Sequence, residues 1–179
     1  MAYSVPDTHQ LKKQVILQGL QASSASQHHP LGYTVESDDG REFQYTYMES
    51  SDVAMYSGRP MVWVDTTADY VVTPDCSDAT GGKSAGGAGG FAGVATMNNI
   101  DVNNAYVWIQ TKGLVDSALV SAVVALNDEL IVDLEDCFDD LTTYHTSATS
   151  TNWRVVGHAV TAAAAGVGSL HSTASIMLY

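Results

Sequence analysis

The sequence predicts a mainly β protein, a compact β-sandwich or β-barrel carrying an extended N-terminal arm, and three observations predict it. Period-2 alternation recurs: Glu42-Phe43-Gln44-Tyr45-Thr46-Tyr47 puts Phe43, Tyr45 and Tyr47 on one face. The strand-like runs are short, and Gly, Pro, Asn and Asp stand between them, as in sandwiches and barrels. Residues 1–32 differ in composition from the remainder of the chain, being rich in Gln and Ser, so we divide the chain into an arm at 1–32 and a β-rich core domain at 33–179. With 179 residues and 45% apolar content, one sizeable core is the expectation.

Within the arm, Leu11, Val15, Ile16 and Leu20 form an apolar patch that suits a short amphipathic helix. A helix this short is marginal in water, so the arm is expected to order against a neighbour. His28-His29 lies just before Pro30 and has no third ligand nearby, which favours solvated histidines over a metal site. From Tyr33 the chain turns to strands. Asp38-Asp39-Gly40 is a turn signal before the strand at 42–47, and Met61-Val62-Trp63-Val64 and Tyr70-Val71-Val72-Thr73 give two more. Residues 75–90 are rich in Ser, Asp, Ala and Gly, a surface loop by composition.

Ala92-Gly93-Val94-Ala95-Thr96 reads as a strand joined by an Asn-rich turn to the clearest strand of all, residues 105–113. There Tyr106, Trp108 and Gln110 point one way and Val107, Ile109 and Thr111 the other, and Gly113 is expected to end the run. Val107 and Ile109 are assigned to the core, and Trp108 to a second packed face where it is largely buried. Residues 114–126 are apolar and small, and their valines favour strand over helix. Leu130-Ile131-Val132, residues 153–160 and residues 175–179 supply further strands. The acidic run 133–141 fits one or two helical turns with Leu134, Cys137, Phe138 and Leu141 on one side and its carboxylates facing solvent.

Composition excludes several functions. Twenty acidic against seven basic side chains give a net charge of -13, which repels phosphate backbones and anionic headgroups, so neither nucleic acid nor membrane is an expected partner. Cys76 and Cys137 lack metal-ligand spacing and are expected as buried thiols in a reducing compartment, with one disulfide as the alternative. No signal peptide or membrane span is legible.

Motif matches fail on context. Residues 75–84 end like a P-loop, but Ser77 stands at the first required glycine. Gly82-Lys83-Ser84-Ala85-Gly86 satisfies G-x-S-x-G, and residues 87–92 satisfy the loose dinucleotide fingerprint, yet no strand precedes either. The acidic run lacks the glycine and closing Glu of an EF-hand. His158 reads as a satisfied strand residue, and no carboxylate pair is singled out among 20 acids. The expectation is therefore no catalytic residue, no cofactor, no metal and no enzyme.

The order of features, Gly40-Arg41-Glu42-Phe43-x-Tyr45, two short strands, Ala92-Gly93-Val94, Tyr106-x-Trp108-Ile109-Gln110-x-x-Gly113 and Val156-Gly157-x-Ala159, resembles the capsid decoration (cement) proteins of tailed bacteriophages over residues 33–179. The resemblance implies a structural virion protein on the outer capsid surface, assembled in the host cytoplasm. Its partners would be the major capsid protein and its own copies in a homotrimer, and it would stabilise the shell by bridging neighbouring subunits. Contact candidates are Leu11, Val15, Ile16 and Leu20 of the arm, with Tyr56 and Trp63. A carbohydrate- or receptor-binding β module on a virion or cell surface is the alternative, drawn from the Tyr and Trp candidates.

Overall fold

The computed structural model describes residues 24–49, 54–64, 69–76, 90–97, 104–120, 123–132, 138–141, 155–164 and 172–179. The described residues form ten strands: β1 (Thr34–Glu36), β2 (Glu42–Met48), β3 (Pro60–Trp63), β4 (Val71–Thr73), β5 (Phe91–Ala95), β6 (Ala105–Val120), β7 (Glu129–Val132), β8 (Phe138–Asp140), β9 (Gly157–Ala159) and β10 (Ser172–Leu178).

Their pairings close two rings that share one strand. The first runs β2-β4-β3-β5-β6 and returns to β2; the second runs β6-β10-β9-β7-β8 and returns to β6 through the single parallel pair Val120↔Phe138. Each ring is a five-stranded barrel, which leaves no open edge within the ring. The N-terminal half of β6 pairs with β2 from Ala105 to Lys112, and its C-terminal half pairs with β10 from Gly113 to Val120. β1 lies outside, paired with β2 across the turn at Gly40.

The passage of β6 from one barrel to the other turns on Gly113. Its φ of 88° is one that glycine adopts without strain, and a Cβ there would stand 3.0 Å from the Arg41 Cα. The Gln110 side-chain amide donates to the carbonyls of Lys112 and Leu114, 3.1 and 2.9 Å away, on either side of the bend. Gly113 thus bends the strand without ending it, contrary to the expectation from sequence. Gly58 clamps the same strand further along: its φ is 86°, its N–H donates to Ala95 O, and its carbonyl accepts from Leu119 N.

Each ring encloses its own interior. Met48, Met61, Val72, Ala95, Ala105, Val107 and Ile109 fill the first with Met55 and Met97. Val115, Ala118, Val120, Leu130, Val132, Phe138, Ala159, Ala174, Ile176 and Leu178 fill the second, joined by Val62, Cys76 and Val94 from the first barrel's far side. Cys76 is wholly buried, its Sγ 3.9 Å from the carbonyls of Pro60 and Pro74. Cys137 lies outside the described residues.

The acidic run departs from its helical reading. Residues 138–140 form β8, in register with β7 from Val132↔Phe138 to Leu130↔Asp140, and Asp139 and Asp140 are buried, not solvated. Three residues carry no period of their own, and docking Phe138 into the second barrel decides their conformation. Residues 133–137 lie outside the described set, as do residues 1–23 with Leu11, Val15, Ile16 and Leu20, and residues 77–89 of the Gly-rich loop.

Candidate interaction surface

The register of β2 on β6 builds an aromatic face on the outside of the first barrel. Tyr45 sits opposite Trp108 and Tyr47 opposite Tyr106, with ring centroids 5.0 and 5.1 Å apart. Cross-strand aromatic pairs of this kind stabilise a sheet face beyond the area they bury. Trp108 is 3% exposed, as expected, and forms a small core with Val35, Phe43 and Tyr45.

Residues 24–33 cross this face. Ser24 and Tyr106 exchange backbone hydrogen bonds of 3.1 and 2.8 Å, the His28 N–H donates to Tyr45 Oη at 3.1 Å, and the Gly32 N–H donates to Tyr45 O at 2.8 Å. His28 is exposed, but His29 is not the solvated residue expected from sequence. Its ring stacks on Tyr33 at 5.6 Å and lies 5.2 Å from Tyr45 and 5.5 Å from Trp108.

The face continues through Gly32, over which the Tyr70 ring lies so closely that a Cβ would come within 2.3 Å of it. Tyr70 meets Trp63 edge-on at 6.1 Å. Tyr33 and Tyr70 remain 43% and 38% exposed, and Trp63 is half-buried. Of the candidate contacts, Trp63 therefore joins this surface. Tyr56 stands at the opposite end of β3, exposed, with the Arg59 guanidinium 5.5 Å from its ring centre. Sequence reasoning weighed His29 only as a metal ligand and did not single out Tyr33 or Tyr70. The signal available was weak: each lies beside a turn residue, and turn tyrosines are common.

Chemically the surface offers ring faces and tyrosine hydroxyls. Among the described residues no group of three or more His, Cys, Asp or Glu is placed to hold a metal, and no helix is long and apolar enough to cross a membrane.

No protein-family model matches this chain, and no curated protein matches it. Among solved structures, it is similar to the head fiber gp8.5 N base of bacteriophage phi29. The two share 9% identity and a TM-score of 0.47 over 76% of this chain and 94% of that one.

Proposed function

We propose that the protein is a structural component of a tailed-phage virion: it binds the outer capsid surface, assembles in the host cytoplasm, and braces neighbouring major capsid subunits as a homotrimer. One observation carries the reading. Two closed barrels share a single strand of sixteen residues, roughly 50 Å of chain at about 3.3 Å per residue, so surfaces on the two barrels are held in fixed relation. A brace needs such a body, because rigidly linked weak contacts multiply by avidity and load passes between them without slack. The sequence resemblance to decoration proteins supports the same reading. So does the charge of -13, which suits docking to a basic shell surface and sets orientation and association rate. On this reading the protein needs neither catalysis nor cofactor, and its aromatic face supplies the central contact residues.

Cosedimentation with purified capsids tests it. Wild-type protein should pellet with capsids and raise their resistance to heat, and Tyr33→Ala with Tyr70→Ala should release it while leaving the far-UV spectrum unchanged. Protein that stays in the supernatant with expanded capsids overturns the proposal.

The exposed rings of Tyr33 and Tyr70 beside Trp63 favour one second reading, a carbohydrate- or receptor-binding module. Binding to a glycan array that the same double variant abolishes, without capsid binding, would favour that reading.

A further inference from the structure

The second barrel ends in a tip built from two loops, 123–127 and 159–164. Val124 and Ala163 exchange backbone hydrogen bonds of 3.0 and 2.8 Å, and the Asn127 N–H donates to Ala159 O at 2.9 Å. The first loop is closed by Asp128, whose Oδ2 accepts from the Ala125 N–H at 2.7 Å. Val124, wholly buried, anchors the loop in the barrel core. The tip is therefore a fixed surface.

What it presents is largely apolar, with Asn127 and Thr161 its exposed polar residues. Val123, Leu126 and Val160 are 62%, 59% and 36% exposed, and Ala125, Ala162 and Ala164 are exposed beside them. The other large hydrophobic side chains exposed among the described residues are tyrosines, at 33, 56, 70 and 179, so every exposed large aliphatic side chain is here. Neither loop carries a charged residue.

We infer that this tip is the contact between copies of the chain. A foreign protein attracted to a molecule of charge -13 gains by meeting carboxylates, and the tip offers only Asp128 at its base, one oxygen of which is held by the Ala125 N–H. Two copies, by contrast, repel wherever their carboxylates approach, and they come together at least cost where both surfaces carry the fewest charges. Contacts between identical subunits are also the more apolar class of interface. The alanines let the loops approach closely, while Val123 and Leu126 supply the area to be buried.

The inference deepens the reading of the protein as an assembly of copies, and its test is separate from capsid binding. Sedimentation velocity of the full chain at micromolar concentration should show a multimer. Its association should strengthen as salt rises from about 0.05 to about 0.5 M, because salt screens the repulsion between acidic bodies and leaves the apolar contact intact. Val123→Asp with Leu126→Asp should weaken association ~100-fold or more, at about tenfold per 1.4 kcal/mol lost. Both side chains are exposed, so melting curves should coincide with wild type at concentrations low enough that both are monomeric. Val124→Ala, beneath the tip, should lower the melting temperature instead. A wild type that is monomeric across the salt range overturns the inference, as does a multimer that the double variant leaves intact or that weakens with salt. A multimer without affinity for capsids leaves this contact standing and sinks the capsid reading; a monomer that binds capsids does the reverse.

Discussion

The two barrels share a strand and a plan but are dressed differently. Each is a ring of five strands closed by one parallel pairing, β2 with β4 in the first and β6 with β8 in the second. The first holds Met48, Met55, Met61 and Met97 inside and aromatic rings outside; the second is lined by Val, Leu, Ile and Ala around Phe138 and ends in an aliphatic tip. Methionine is unbranched and fills irregular space, whereas branched side chains have few rotamers and fix a shape. The difference teaches that ring closure demands only apolar interiors of the right volume. The outer faces are free to diverge, and the candidate surfaces lie there.

The joint gives the largest expected effect, because it belongs to both barrels. A Cβ on Gly58 would lie 1.8 Å from Ser117 O, and the φ of 86° disfavours any side chain. Gly58→Ala should cost on the order of 4 kcal/mol or more, or prevent folding. Urea unfolding of the wild type, followed by both tryptophan fluorescence and circular dichroism, should show one transition, since β6 cannot leave one barrel and stay in the other. Two separated transitions would break the picture of a coupled pair and make each barrel its own cooperative unit.

Next come the interiors. Phe138 is wholly buried in the second barrel and packs edge-on to Phe91 at 6.0 Å, so Phe138→Ala should cost about 4 kcal/mol. Met61, wholly buried in the first, should cost about 2–3 kcal/mol as Met61→Ala, since neighbouring methionines can move into the space. Denaturation midpoints rank them. A Met61 variant that suffers more than the Phe138 variant would contradict the contrast between an adaptable and a rigid interior.

A smaller effect sharpens how the joint is held. Gln110→Ala removes two hydrogen bonds from carbonyls flanking Gly113 and should cost about 1–2 kcal/mol. Stability indistinguishable from wild type would assign the bend to Gly113 alone.

Much of this fold was legible in the sequence, and the reasons for the exceptions are physical. Alternation marked β2 and the first half of β6 correctly, down to the burial of Trp108, because residue types follow period 2: aliphatic Val107 and Ile109 enter the barrel, and aromatic Tyr45 and Trp108 pack on its outside. The second half of β6 was assigned to strand from its valines but separated from the first half at Gly113. A glycine that bends a strand and one that ends it look alike until the partner strands are known. β8 was missed because its three residues are held by β7 and not by any local preference. Among the described contact candidates, only Trp63 falls on either candidate surface, and Tyr56 lies on neither. Tyr33 and Tyr70 gain their meaning from contacts with residues 24–32, and Val123, Leu126 and Val160 from a pairing of loops more than 30 residues apart, which no local pattern announces.

The smallest prediction falls on the β1–β2 turn, a feature of the first barrel only. The Asp39 carboxyl is lowered from its ordinary value to about 2, chiefly by its hydrogen bond with Arg41, whose Nη2 lies 2.7 Å away, and next by the Ser37 hydroxyl. A carboxylate held ionised in the folded state adds stability that is complete above its unfolded pKa of about 3.9. That stability is lost as pH falls from there toward about 2. Both side chains are substantially exposed, at 37% and 53%, so solvent screening limits the effect to a few tenths of a kcal/mol, up to about 1. Carboxyl NMR should place the Asp39 midpoint below the ordinary carboxylate value in the wild type. In Arg41→Ala the midpoint should rise most of the way to about 3.9, leaving only the Ser37 contribution. A wild-type midpoint already at the ordinary value would mean that the turn does not hold this ion pair in solution. The Gly40 turn would then rest on its backbone bonds, Gly40 N–H to Ser37 O at 3.0 Å and Ser37 N–H to Arg41 O at 2.8 Å, and the strand outside the first barrel would owe nothing to charge.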